Sequence, residues 1–235
     1  MKQNYFEPTW SSIKQHQTPN WFKKAKFGIY AHWGIYSVPA AGPNVTWYPY
    51  WMYRPPSPQF DYHCKHYGHP SKFGYKDFIP MFTAEKFNAE EWADLYYRSG
   101  AKFAGPVAEH HDGFPMWNCS DTEWCASKMG PKRDIVGELA KAIRNKGMKY
   151  MVAMHHAENW FFFPHWNNDF DTSKKEYESL YGELHNLDLI GNQAVYPDHW
   201  GRKNEHQDKP SNCLLYTSDA ADDMQCVDLG GRRII

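Results

Sequence analysis

The sequence has almost no net charge, few cysteines and no long apolar segment. Its 235 residues carry 26 basic and 27 acidic side chains, for a formal net charge of −1. So small a charge gives no reason to expect nucleic acid or an anionic membrane surface as a partner. No apolar run reaches the roughly 18 residues of a membrane-spanning helix, and residues 1–30 show no signal-peptide pattern.

Cofactor motifs are equally scarce. The five cysteines form no dense disulfide framework, and residues 100–105 lack the glycine spacing of a dinucleotide-binding turn. His63, Cys64, His66 and His69 superficially resemble a zinc site, but their spacing fits no common zinc finger. We expect these to be exposed loop histidines.

Aromatic residues, in contrast, make up 17% of the chain. They are dense in 46–54, within a long segment, 34–75, that shows only weak periodicity. A loop of this length is typical of a functional lid, unless it hides regular structure. The rings could form a core, but we favour a wall on which the apolar face of a sugar or nucleobase stacks.

Periodicity predicts strands and helices in alternation. Apolar runs at 27–33, 102–109 and 149–154 indicate strands, and amphipathic patterns at 83–100 and 133–147 indicate helices. Asn88 and Asp134 are placed to cap those helices, and Gly100 and Gly147 to end them. The order βαβαβ predicts an α/β fold with a parallel sheet, in the manner of a TIM barrel.

Histidines follow each predicted strand. His32 follows the first, His110 and His111 the second, and His155 and His156 the third. The carboxyl ends of parallel strands share one rim, where α/β enzymes build their sites. Because side chains alternate along an extended strand, we expect at most one ring of each pair to face a common site. Such rings could bind a metal or donate hydrogen bonds to hydroxyl groups.

Three acids, Glu109, Asp112 and Glu158, lie near the same predicted rim. Glycoside hydrolysis requires a pair of carboxylates, one for the acid and base steps and one as nucleophile or base. Glu109 and Asp112 flank the end of the strand, where structural roles are common, so neither is a good nucleophile candidate on its own.

An ordered set of motifs runs across residues 19–212. The motifs are Trp21-Phe22, Ala25-Lys-Phe-Gly-Ile-Tyr-Ala-His-Trp-Gly-Ile-Tyr-Ser-Val-Pro-Ala40, Trp47-Tyr48, Met52-Tyr53, Ala101-Lys-Phe-Ala104, His110-His-Asp-Gly-Phe114 with Trp117, and Gly130-Pro-Lys-Arg-Asp134 with Glu138-Leu139. Together they resemble glycoside hydrolase family 29, the α-L-fucosidases. The resemblance implies a (β/α)₈ barrel, of which about the first three βα units are present, and retaining hydrolysis of terminal α-linked L-fucose from glycans. It implies no metal or other cofactor.

The resemblance also implies roles for individual residues. The substrate-binding residues it indicates are His32, Trp47, His110, His111 and His156. Thr46 stands where many members of the family have Glu, and the pair His155–His156 stands where a Tyr is frequent. The sequence leaves open which of these two histidines faces the site.

No residue is assigned a catalytic role. The family's nucleophilic Asp lies in a Trp-x-Asp-like motif after strand four, and its acid/base Glu lies later still. We interpret 1–212 as the N-terminal portion of the barrel and 213–235 as a non-native tail, because that tail resembles a translated sequencing adapter. We therefore expect this polypeptide to be inactive. The alternatives are a metal-dependent barrel hydrolase and a non-catalytic sugar-binding module. The family is usually secreted, periplasmic or lysosomal.

Overall fold

Four short parallel strands form the centre of the protein. The computed structural model describes residue 7 and residues 9–156 and 159–184. The strands are β1 (Gly28–Ala31), β2 (Phe103–Glu109), β3 (Lys149–Tyr150) and β4 (Ala153–Met154). β2 is central: β1 pairs with one side of it, and β3 and β4 pair with the other, all in parallel. The predicted α/β fold with a parallel sheet is confirmed.

Eight α-helices are defined in the described part of the chain. They are α1 (Trp10–Ile13), α2 (Asn20–Ala25), α3 (Tyr48–Trp51), α4 (Pro58–His66), α5 (Ala89–Arg98), α6 (Ile135–Asn145), α7 (Asn159–Phe162) and α8 (Glu178–Tyr181). Short 3₁₀ helices lie at Ile35–Ser37, Val45–Trp47, Tyr75–Met81, Asp171–Ser173 and Lys175–Tyr177.

The two crossover helices begin directly after the predicted caps Asn88 and Asp134, so residues 83–88 of the first predicted range lie outside α5. The Asn88 side chain accepts hydrogen bonds from the backbone N–H groups of Glu90 and Glu91 at the start of α5. The Asp134 side chain does the same for Gly137 at the start of α6. These caps satisfy N–H groups that have no partner within the helix. The two helices pack against each other, and α6 packs on β2.

The third predicted strand is divided in two. β3 pairs with Phe103 and Ala104 of β2. β4 pairs with Val107 and Glu109 of β2, and the register shifts between these two residues. Between these pairings the backbones approach closely, since a Cβ atom built on Gly105 would lie 1.6 Å from the carbonyl oxygen of Met151. Only a glycine permits this approach.

The aromatic segment 34–75 contains regular structure and forms much of the core. It includes α3 and α4, and Tyr48, Met52 and Tyr75 are fully buried. The expectation of a loop-like lid is therefore wrong, because prolines and weak periodicity obscure the short helices. The prediction of a stacking wall is wrong for most of its rings, which pack inside the protein.

Residues 159–184 are joined to this core by buried polar contacts. Asp171 accepts hydrogen bonds from the hydroxyls of Tyr53 (2.8 Å) and Tyr181 (2.6 Å). Those hydroxyls in turn accept from the backbone N–H groups of Tyr75 and Lys76. The short helix α8 lies within this segment. Glu158, the segment 185–212 and the predicted tail 213–235 lie outside the described residues.

Candidate active site

Four histidine rings meet at the carboxyl end of the sheet. His32 follows β1, His110 and His111 follow β2, and His155 follows β4. The ring centroid of His155 lies 5.0 Å from those of both His110 and His111, and 5.5 Å from that of His32. The parallel topology thus brings together side chains that are more than 120 positions apart in the sequence.

Both rings of the first pair face the same cluster. The centroids of His110 and His111 are 4.4 Å apart, so the expectation that adjacent rings point to opposite faces is wrong for this pair. β2 ends at Glu109, and the backbone then turns, with the N–H of Gly113 donating to the carbonyl oxygen of His110. Alternation applies to extended chain only, and both histidines lie beyond it.

Hydrogen bonds fix the backbone around His111 and His155. The Nδ1 atom of His111 lies 2.8 Å from the carbonyl oxygen of His155. A carbonyl can only accept, so the His111 proton is on Nδ1, and in the neutral ring Nε2 is an acceptor. The Asn159 side-chain amide donates to the carbonyl oxygen of His111 at 3.0 Å. Sequence reasoning missed Asn159, which no local pattern marks.

An aromatic wall borders the cluster. Trp47 is half-buried, and its ring centroid lies 5.2 Å from those of His111 and Phe162. Phe162 is fully buried, 5.3 Å from His111. Trp47 is thus the residue of the aromatic segment that meets the histidines, while Phe162 was missed because it lies in a run of four aromatic residues without periodicity.

Two rings of the cluster, those of His110 and His32, favour the neutral imidazole. Burial lowers the pKa of His110 well below its ordinary value, and the neighbouring histidines His111, His155 and His32 lower it further. Burial and the proximity of His155 also lower the pKa of His32. A neutral imidazole carries one N–H donor and one bare nitrogen acceptor, which suits a ligand whose hydroxyls both donate and accept.

His156 is hydrogen-bonded to an acid rather than grouped with these four rings. Its Nδ1 atom pairs with the Glu109 carboxylate. That hydrogen bond raises the pKa of His156, against the opposing effect of burial. The His156 side chain is 65% exposed and that of Glu109 only 7%. The structure therefore brings His155 into the cluster and places His156 against a buried acid.

Asp112 is a buried acid beside the cluster. It accepts hydrogen bonds from the hydroxyl of Tyr75 at 2.7 Å and from the backbone N–H of Phe114 at 3.3 Å. Burial raises the pKa of Asp112 to about 7, although both hydrogen bonds act to lower it. Its carboxylate thus holds the turn that carries His110 and His111, the structural role that the sequence suggested.

Of the residues that superficially resemble a zinc site, His63, Cys64 and His66 lie in α4. His63 is fully buried, and its two ring nitrogens are hydrogen-bonded to the Tyr48 hydroxyl and the Phe73 carbonyl. The expectation of exposed loop histidines is wrong for His63, because its helix packs on the aromatic core. Within residues 7, 9–156 and 159–184, no three His, Cys, Asp or Glu side chains are grouped to hold a metal.

One triplet matches the letters of the family's nucleophile motif, Trp92-Ala93-Asp94. It lies inside α5 and not after a strand. Asp94 forms ion pairs with Arg98 at 2.6 Å and Lys146 at 2.9 Å. It therefore links helices at the protein surface, away from the carboxyl end of the sheet.

A family model described as Alpha-L-fucosidase matches residues 1–229 of the chain. The chain belongs to the α-L-fucosidase family. It is 46% identical to the human plasma alpha-L-fucosidase over 142 residues, which are 60% of this chain and 30% of that protein. It is 37% identical to the alpha-L-fucosidase of Dictyostelium discoideum over 188 residues, 77% of this chain and 40% of that protein.

Solved structures agree with this assignment. The alpha-fucosidase of Thermotoga maritima superposes with a TM-score of 0.61 at 44% identity, over 64% of this chain and 37% of that one. The chain spans between 30% and 40% of the length of these fucosidases. In the described part of the chain, no helix is long and apolar enough to cross a bilayer.

Proposed function

We propose that this chain is the N-terminal part of the (β/α)₈ catalytic domain of a retaining α-L-fucosidase. β1 with α5, β2 with α6, and the divided third strand formed by β3 and β4 then belong to the first three βα units. Terminal α-linked fucose on a glycan is the proposed substrate. The observation that carries the proposal is the cluster of strand-end histidines against Trp47. An alpha-fucosidase of T. maritima, solved in complex with fucose, supports it at 44% identity.

In this proposal the cluster recognises sugar hydroxyls. His32, His110 and His111 supply imidazole nitrogens, and Trp47 supplies an apolar ring face for the C–H groups of the sugar. The family resemblance assigns the fifth contact to His156, and that assignment stays a prediction. The ring contacts of His155 with His110 and His111 favour His155 as the fifth sugar contact. The Nδ1 atom of His156 is instead hydrogen-bonded to the Glu109 carboxylate.

The two carboxylates of a retaining mechanism are proposed to lie outside this chain. A retaining enzyme places them about 5–5.5 Å apart with the substrate between them. Glu109 and Asp112 are the acids at the described cluster, and both are buried and already hydrogen-bonded. We therefore propose that the 235-residue chain contributes binding groups and does not hydrolyse fucosides by itself.

The experiment compares this chain with the complete enzyme recovered from the same source DNA. The complete enzyme is expected to release 4-nitrophenol from 4-nitrophenyl α-L-fucoside, and this chain to release none. Turnover by the chain alone would contradict the assignment of the carboxylates. In the complete enzyme, His110→Ala is expected to lower kcat/KM at least 100-fold, while His66→Ala, in the exposed part of α4, leaves it unchanged.

Elemental analysis of the purified protein tests the metal-dependent alternative. Stoichiometric zinc or manganese would favour a metal hydrolase over a fucosidase. Calorimetry with L-fucose tests the alternative of a sugar-binding module. We expect no measurable heat from this chain alone, and clear binding by it would favour the module.

A further inference from the structure

Two buried polar atoms border one small cavity beside the histidine cluster. They are the hydroxyl oxygen of Tyr36 and the Nδ1 atom of His110, and neither has a hydrogen-bond partner among the residues that the structure describes. Both residues are only 2% exposed. Trp33, Asp112 and Phe114 complete much of the cavity wall.

Their chemistry is complementary. A buried polar group without a partner destabilises the fold, and such groups are rare in folded proteins. A tyrosine hydroxyl is a donor, and a neutral imidazole has one bare nitrogen that accepts. The two ring centroids are 5.0 Å apart, so the two side chains are in contact.

Asp112 is the competing acceptor for the Tyr36 hydroxyl, since it lines the same cavity. Its carboxylate already accepts from the Tyr75 hydroxyl on one oxygen and from the Phe114 N–H on the other. The Nδ1 atom of His110 accepts from no group in the described part of the chain, and burial among three histidines keeps the ring neutral by lowering its pKa. A hydrogen bond from the Tyr36 hydroxyl therefore stabilises the His110 imidazole, whose Nδ1 atom has no other donor among the described residues, more than it stabilises the Asp112 carboxylate, which has two.

We propose that Tyr36 is a positioning residue that donates a hydrogen bond to Nδ1 of His110 and thereby holds the His110 proton on Nε2. His111 is held in the opposite form, because its Nδ1 donates to the carbonyl oxygen of His155. The two adjacent histidines then carry opposite tautomers. His110 offers an Nε2–H donor, and His111 offers an Nε2 acceptor.

This inference rests on the proposed function where it concerns the sugar. A hydroxyl bound by His110 must accept, and a hydroxyl bound by His111 must donate. The pair therefore fits a ligand with two neighbouring hydroxyls, one of which accepts from His110 and one of which donates to His111. The tautomers themselves are properties of the chain and need no sugar to be measured.

The test is the two-bond ¹H–¹⁵N correlation spectrum of the whole 235-residue chain, labelled at its histidines and recorded without sugar. The variants His110→Gln and His111→Gln assign the two rings. We expect the Nε2–H pattern for His110 and the Nδ1–H pattern for His111. In Tyr36→Phe, His110 is expected to lose its pure Nε2–H pattern and His111 to keep its own.

The matched control is Tyr30→Phe, since the Tyr30 hydroxyl lies 2.8 Å from Nε2 of His32. It is expected to change the His32 signals and leave those of His110 in place. An Nδ1–H pattern for His110 in the unsubstituted chain overturns the proposal whether or not the variants fold. So does an unchanged His110 pattern in folded Tyr36→Phe. Either result leaves the fucosidase proposal standing, because no sugar is present.

Discussion

At the scale of single residues, the pair formed by Glu109 and His156 ties the turn after β4 to the end of β2. We predict that Glu109→Gln lowers the pKa of His156 towards its ordinary value, because the amide cannot stabilise an imidazolium as the carboxylate does. A histidine NMR titration of the chain measures this change. The matched control is Glu123→Gln at the protein surface, which is expected to leave His156 unaffected. An unchanged titration in Glu109→Gln would show that the pair does not form in solution.

The sign of the pH dependence follows from the raised pKa of His156. A histidine whose pKa is higher in the folded state stabilises that state fully below its unfolded pKa. The contribution is lost as the pH rises through the folded pKa. Since the ring is largely exposed, we expect only a small effect on the free energy of unfolding.

Asp112 also has a pKa that burial raises, and here the consequence for stability is larger. Its pKa in the folded protein is about 7, higher than the ~3.9 of an unfolded chain. The folded state therefore binds more protons, and the free energy of unfolding falls as the pH rises from about 4 to about 7. The decrease from this one group is at most about 4 kcal/mol.

We predict that Asp112→Asn flattens this decrease, because the amide stays neutral throughout. Urea denaturation of both proteins at pH 5 and pH 7.5 measures the slope. Asp169→Asn, in an exposed turn, is the control and is expected to keep the slope of the unsubstituted chain. If Asp112→Asn has the same slope as the unsubstituted chain, Asp112 titrates at an ordinary pKa and the burial argument fails.

At the scale of elements, the contact between β2 and the segment joining β3 to β4 depends on Gly105. We predict that Gly105→Ala destabilises the chain by more than about 3 kcal/mol, because the methyl group would occupy the position of the Met151 carbonyl oxygen. The measurement is the free energy of unfolding in urea.

Gly100→Ala is the matched control for this change. Gly100 has a φ of +92°, but no atom of the described residues lies within 4 Å of the position that an added methyl group would take. Only backbone strain of about 1–2 kcal/mol is therefore expected. Equal losses for the two variants would mean that the sheet adjusts to a side chain at position 105.

The sequence predicts some of these elements correctly and misses others. The helices α5 and α6 and the strand β2 could be predicted because their caps, glycines and periodicity are local signals. The short helices α3 and α4 could not, since prolines and dense aromatics hide their pattern. Histidines at the strand ends could be found from topology, but the position of His155 relative to His156 depends on the turn after β4, which no local rule determines.

At the scale of the whole molecule, Asp171 joins residues 159–184 to the aromatic core. We predict that Asp171→Ala destabilises the chain by about 2–5 kcal/mol, because the buried hydroxyls of Tyr53 and Tyr181 both lose their acceptor. Thermal and urea unfolding measure the loss. Asp169→Ala, two residues earlier and exposed, is expected to change stability by less than about 0.5 kcal/mol. Comparable values for the two variants would show that the network contributes nothing.

Trp33 follows His32 at the end of β1, and its ring centroid lies 5.2 Å from that of Trp92 in α5, at an interplanar angle of 53°. Two indole rings so close and so tilted couple their electronic transitions, which produces a paired positive and negative band in circular dichroism. The band vanishes when either ring moves away. The part of this signal that is lost in Trp92→Phe, among the eleven tryptophans of the chain, is expected to report the docking of α5 beside the histidine cluster without a label, a ligand or an enzymatic assay.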